Sequence, residues 1–196
     1  MGKFMAYADV NIQEVINQRR NKYERTFIKK GHLLHEEDKT IEGLYFCESG
    51  IARAYTNVKK SDKDKTGKII LVNSGEEITN RFFSANEMII PFESLITNAP
   101  MTFSVQVIEA GWFFFISIED WKIFAEQEPN LARDIMLKVA METFKYAHGY
   151  KYDISHRTTE ERYDWLIDQY PYTERIPDKY IASLLAVDIK TLRRNK

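Results

Sequence analysis

Apolar and polar positions divide the chain into three regimes. Around residues 9–20, Val10, Ile12, Val15 and Ile16 recur at helical spacing and predict a short amphipathic helix. From about 26 to 118 the texture is that of strands. Segments such as GLYFCESG, GIARAYTNV, GKIILVNSG and TFSVQVIEAG are rich in β-branched and aromatic residues, with glycines between them. Strands at this spacing without intervening helices predict an antiparallel barrel or sandwich. The charged stretch 57–67, NVKKSDKDKTG, reads as an exposed hairpin loop. Trp112 to Phe115 reads as a buried strand, and Arg53 as an outward-facing strand residue rather than one lining the barrel, because arginine is rarely buried unpaired.

After Ser117 the period becomes helical. Pro129 marks a helix start, and from Leu131 to Tyr152 there is neither proline nor a turn cluster. Two apolar stripes run along this helix. One is Ile135, Val139, Tyr146 and Tyr150; the other is Leu137, Met141, Phe144 and His148. An ordinary surface helix has one such face. The second face therefore needs a cover, either the rest of the chain or a second copy of it; Ile135, Val139, Tyr146 and Tyr150 mark the dimer helix in the latter reading. Trp121 and Trp165 are expected to pack helices onto their neighbours.

The last segment is helical with one informative break. A helix from Asp178 to about Leu185 is followed by Ala186-Val187-Asp188 and a second helix from Ile189, for which Asp188 is placed as the N-cap. Ala182 is the small residue a helix crossing needs. Ile181, Leu185, Val187 and Leu192 supply packing, and Lys190, Thr191, Arg193, Arg194 and Lys196 offer groups for phosphates and base edges. This pattern predicts a helix-turn-helix and DNA as partner. Charge placement sharpens it. The 196 residues have a formal net charge of −1, yet residues 189–196 carry four basic side chains and no acid.

Other chemistries find little support. There is no Gly-x-Ser-x-Gly elbow, no phosphate-binding Gly-x-x-x-x-Gly-Lys loop and no His-Glu-x-x-His, so no enzyme is predicted. His32 and His35 sit three apart on an expected strand, point to opposite faces, and read as ordinary surface histidines rather than metal ligands. Cys47, the single cysteine, reads as buried core. The longest apolar run is Trp112 to Ile116, too short for a membrane span, and no secretory signal is present, so a cytoplasmic protein is expected.

With these residues in view, the sequence resembles the Crp/Fnr transcriptional regulators, in particular a divergent group typical of Bacteroidetes. The resemblance rests on the order and spacing of Gly43–Tyr55, Pro91–Leu95, Thr159–Tyr163 and Lys179–Leu185. It implies an α+β chain: an N-terminal antiparallel β-barrel or jelly roll of the cyclic-nucleotide-binding type over 1–128, a long dimerisation helix over 129–154, and a C-terminal helix-turn-helix over 155–196. It also implies an effector pocket involving Arg81, Glu87, Glu93, Ser94, Phe103 and Ser104. Family members that bind cyclic nucleotide carry Phe-Gly-Glu and then Arg-Ser-Ala. Here the matching residues are Phe83-Ser84-Ala85-Asn86-Glu87 and Phe103-Ser104-Val105, so the phosphate-binding arginine falls on Phe103. Without that charge-assisted pair, cyclic AMP is not expected to bind, and the effector stays unidentified. The family's turn glycine falls on Ala186, and an apolar position of its recognition helix falls on Asn195. With Lys196 last in this sequence, no wing is expected after the recognition helix. The resulting reading is a homodimeric DNA-binding regulator, with a sensor or scaffold lacking DNA readout as the alternative.

Overall fold

The computed structural model describes residues 10–63, 65 and 69–196, without the side chains of 70, 146 and 148–155. Helix α1 (Ile12–Gln18) opens the described chain, its N-terminus capped by the Asn11 side chain, which accepts from the Glu14 N–H. Eight strands follow: β1 (Glu24–Ile28), β2 (Leu33–His35), β3 (Gly43–Cys47), β4 (Ile51–Lys63), β5 (Ile69–Phe83), β6 (Glu87–Ile89), β7 (Ser104–Glu109) and β8 (Gly111–Ser117). One short helix, α2 (Phe92–Thr97), interrupts them. They form two four-stranded antiparallel sheets, ordered β1-β8-β3-β6 and β2-β7-β4-β5. Two facing sheets, rather than a closed barrel, are what this ordering describes.

Alternation along each strand explains why the sheets stack. On β3 and β8, Tyr45, Cys47 and Phe113 face the second sheet, where Ala52, Ala54, Phe83, Val105 and Val107 meet them. The other side chains of the same strands, Leu44, Phe46, Phe114 and Ile116, point the opposite way and bury a second core under helices. Both faces of this sheet are therefore apolar, which is why β3 and β8 read as continuous apolar runs.

Helix α3 (Ile118–Gln127) starts at Ser117, whose hydroxyl accepts from the Asp120 N–H at 3.0 Å. Trp121 and Phe124 close the second core, together with Ala132, Ile135 and Val139 of the long helix α4 (Pro129–His156). The C-terminal part comprises α5 (Thr159–Gln169), begun by a capping box between Thr158 and Glu161, then α6 (Asp178–Leu184) and α7 (Ile189–Arg194). Their side chains, among them Trp165, Leu166, Ile181, Leu184 and Leu192, pack with Ile51, Phe82 and Ile108 of the second sheet in a third core. No helix among the described residues is long and apolar enough to cross a membrane.

Four expectations are corrected. Residues 57–63 are strand, not loop, because Asn57, Lys59, Lys60, Ser61 and Lys63 pair with β5 residues from Glu77 back to Ile69. The cross-strand ladder outweighs the weak strand preference of lysine and aspartate on a solvated hairpin. Arg53 is only 2% exposed, and His35 only 7%. Both are buried by elements distant in sequence, which local patterning cannot register. Trp112 is partly exposed, edge-on to Phe27 at 5.4 Å, whereas Phe113 and Phe114 are buried.

Candidate functional site

The C-terminal helices owe their geometry to local chemistry. After α6, Ala186 adopts a left-handed backbone with φ of 52°. The Ala186 N–H donates to the Ser183 carbonyl at 3.2 Å, and the Val187 N–H to the Ala182 carbonyl at 3.0 Å. This pair of bonds is the Schellman arrangement that ends a helix and satisfies its free carbonyls. Asp188 then accepts from the Lys190 N–H at 2.8 Å and opens α7. Leu192 is fully buried against α5 and α6, which turns the rest of α7 outward.

The outward face is basic. Lys190, Arg193, Arg194 and Lys196 are exposed, and Thr191 is half-buried. Asp178 gathers two of them: its carboxylate accepts from Arg193 Nε at 3.1 Å and from Lys196 Nζ at 2.9 Å. Those two hydrogen bonds hold the Asp178 carboxyl below its ordinary range. Among the described residues, Arg194 meets only a hydroxyl, that of Thr191 at 3.4 Å, and Lys190 makes no ion pair.

These helices are fastened to β5. The Ser183 hydroxyl accepts from the Thr79 N–H at 2.9 Å and donates to the Glu77 carbonyl at 3.1 Å. Beside it, the Arg53 guanidinium lies between Tyr55 and Tyr180, 4.2 and 3.9 Å from their ring centroids, and pairs with Glu77. Tyr180 belongs to α6, so the buried arginine is covered by the helical part. Farther along β5, Phe82 packs edge-on to Tyr170 at 5.3 Å, and its N–H donates to the Tyr170 hydroxyl at 3.4 Å. None of Arg53, Thr79, Tyr180 or Ser183 stood out in the sequence as a site residue. The only signal was an arginine set in the apolar run of β4.

On the other side of β5 is an open cavity of about 300 Å³, bordered by the second sheet, β6 and α4. Its wall is mostly apolar: Ala54, Phe83, Met88, Ile90, Phe103 and Val139, with Asn80, Arg81 and Thr143 as polar groups. Arg81 donates to the Thr143 hydroxyl at 3.0 Å and to Glu87 at 3.3 Å. Burial pushes the Glu87 carboxyl up, opposed by the Arg81 charge. Of the sequence-assigned pocket residues, Arg81 and Phe103 line this cavity and Glu87 touches Arg81. Glu93 is exposed and accepts from the Thr102 hydroxyl, buried Ser94 donates to Met101 Sδ, and buried Ser104 accepts from the Glu37 N–H at 3.0 Å. Those three lie outside the cavity. Asn80 and Thr143 were not singled out in the sequence, where each stands beside a charged neighbour, Arg81 and Glu142.

Along α4, Ile135 and Val139 face the chain's own core, each 3% exposed, while Leu137, Met141 and Phe144 are exposed at 39, 37 and 65%. The side chains of Tyr146, His148 and Tyr150 lie outside the described residues. Among the described residues, no group of three or more His, Cys, Asp or Glu is placed to hold a metal ion.

No protein-family profile and no curated protein sequence matches the chain. Solved structures do. A Crp/Fnr-family transcriptional regulator from Eubacterium rectale superposes with a TM-score of 0.64 at 15% identity, covering 98% of this chain and 84% of that one. The chain has the Crp/Fnr fold. A CooA variant from Carboxydothermus hydrogenoformans superposes at 0.68 with 15% identity over 96% of this chain and 83% of the other. The c-di-GMP-responsive global regulator CLP from Xanthomonas campestris does so at 0.67 with 12% identity over 93% and 89%. Within the Crp/Fnr fold the cavity beside α4 and the basic face of α7 belong to one continuous architecture, joined by β5.

Proposed function

We propose that the protein is a DNA-binding transcriptional regulator of the Crp/Fnr type, with the sheets sensing a small effector and α6–α7 serving as the helix-turn-helix. The observation that carries this reading is the two-sidedness of α7. Leu192 anchors one face while Lys190, Arg193, Arg194 and Lys196 stand free of the core on the other, as a helix laid against DNA phosphates requires. Thr191 and Arg193 are assigned to phosphates, and Lys190 and Arg194 to base edges. Cyclic AMP is not the effector in this reading. The cavity arginine, Arg81, is engaged by Glu87 and Thr143, and Phe103 occupies the wall where a phosphate would need a charge.

Strand β5 supplies the coupling. Asn80, Arg81 and Phe83 line the cavity, whereas Thr79 and Phe82 hold α6 and Tyr170. An effector that fits one position of β5 better than another biases the helices through its differential affinity for the two states. Two copies joined along α4, through the exposed Leu137, Met141 and Phe144, would present paired recognition helices to half-sites about one helical turn apart.

The alternative, a sensor or scaffold without DNA readout, is favoured by one feature: Asp178 neutralises Arg193 and Lys196. Electrophoretic shift of duplex DNA from upstream of the protein's own gene separates the two. The regulator reading expects a shift that weakens by a factor of about ten or more between 50 and 200 mM salt and is lost in the Arg193→Ala/Arg194→Ala double variant. No shift on any genomic fragment at low salt would refute it.

A further inference from the structure

A second cleft opens on the far side of the sandwich, between the edge strands β1 and β2. It comprises two adjoining cavities of about 460 and 190 Å³ that share Glu42, Tyr45 and Phe115. Its floor follows from strand register: Glu24, Phe115 and Tyr45 are neighbours on β1, β8 and β3, so all three project from one face. The Tyr45 and Phe115 rings lie 5.1 Å apart. Gly43 lets the Phe115 ring pack directly on the backbone, where a Cβ would come within 2.5 Å of it.

Three carboxylates, Glu24, Glu36 and Glu42, and two lysines, Lys29 and Lys39, surround this aromatic floor. Neither Glu24 nor Glu42 forms an ion pair with another described residue; Glu24 accepts only the Thr26 hydroxyl, at 3.0 Å. Both carboxylates act on Tyr45, raising its phenol further than burial alone. Of the nearby cations, Lys39 is paired with Glu36 at 2.6 Å and its charge also reaches Glu42, and Lys29 lies on the outer cavity's wall with His32.

The inner end holds an independent feature. His35, 7% exposed, crosses from the other sheet and meets Tyr45 edge-on at 5.3 Å. Its Nε2 is buried without a hydrogen-bond partner, although the ring lines the inner cavity. A buried polar atom of this kind costs free energy unless something satisfies it. Burial also keeps the ring neutral at physiological pH, so it does not repel a cation, and in its Nδ1–H tautomer Nε2 is an acceptor.

We propose that this cleft binds a small organic amine in its ammonium form. The aromatic faces of Tyr45 and Phe115 and the carboxylates of Glu24 and Glu42 attract the positive charge, and His35 Nε2 accepts one of its N–H bonds. The same carboxylates repel anions, and the aromatic floor favours an apolar body on the amine. The site is separate from the cavity beside α4 and stands whether or not the protein binds DNA.

Titration calorimetry on the full chain with phenethylamine hydrochloride tests this, with 2-phenylethanol and phenylacetate as the neutral and anionic counterparts. Saturable binding is expected for the amine, about tenfold or more tighter than for the alcohol, with none for phenylacetate. Glu42→Gln and Glu24→Gln, both at exposed positions that folding tolerates, should each weaken the amine by about threefold or more, and His35→Phe by a comparable factor. Equal binding of amine and alcohol, no saturable heat from the amine, or wild-type affinity in both glutamine variants would overturn the proposal. If His35→Phe does not fold, the two glutamine variants decide the matter by themselves.

Discussion

Replacing His35 with phenylalanine should flatten the acid side of the protein's stability curve. In the folded chain burial holds the His35 imidazole at about 4, against its ordinary 6.5. Between those two values the unfolded chain binds a proton that the folded chain refuses. Stability from this group is therefore complete above pH 6.5, falls as pH drops, and levels off below pH 4. Working through the two titrations, the loss between pH 7 and pH 5 comes to about 2 kcal/mol, and the full loss to about 3 kcal/mol. The carboxylates of Glu36 and Glu42 and the ammonium of Lys39 line the same cavity, and burial still governs the shift. Phenylalanine has a similar shape and no ring nitrogen to desolvate. Urea unfolding followed by the fluorescence of the three tryptophans, at pH 7 and pH 5, measures the effect. Wild type and variant share every carboxylate, so those contributions cancel in the difference. The variant should lose about 2 kcal/mol less than wild type between the two pH values. Parallel losses would show that His35 titrates normally and that its burial has been misjudged.

Two further outcomes are expected. Ala186→Gly should stabilise the protein by about 0.5–1 kcal/mol in the same assay, since relief of a left-handed alanine exceeds the entropy glycine adds to the unfolded chain; destabilisation would argue against the turn geometry. Asp178→Asn should free Arg193 and Lys196 and tighten binding to random-sequence duplex about three- to tenfold, read by fluorescence anisotropy; weaker binding would mean that Asp178 positions these side chains rather than competing for them.

What was legible in the sequence was local. Asp188 as a cap, the break at Ala186-Val187-Asp188, the buried phase of Leu192 and the helical run after Pro129 all depend on bonds between residues a few positions apart, so their chemistry is written in adjacent letters. The strand texture from 26 to 118 was legible for the same reason, because alternation is a property of neighbours. The two stripes of α4 were visible as a 3.6-residue period, yet a period states that faces exist and not what covers them. Only the fold turned Ile135 and Val139 inward and left Leu137, Met141 and Phe144 outside.

Charged and polar groups show the boundary most sharply. Arg53 looked like a surface residue because arginine is rarely buried unpaired. Besides Tyr55 on its own strand, its partners are Glu77 from the next strand and Tyr180 from a helix more than a hundred residues on. His35 became a neutral buried group because Tyr45 and the opposite sheet exclude water from it. The sequence by itself determined the strand texture, the run of helices after Ser117 and the Asp188 cap, through interactions within a turn or a strand. The tertiary structure alone decided which polar groups lose their water, because desolvation depends on whatever arrives from elsewhere in the chain.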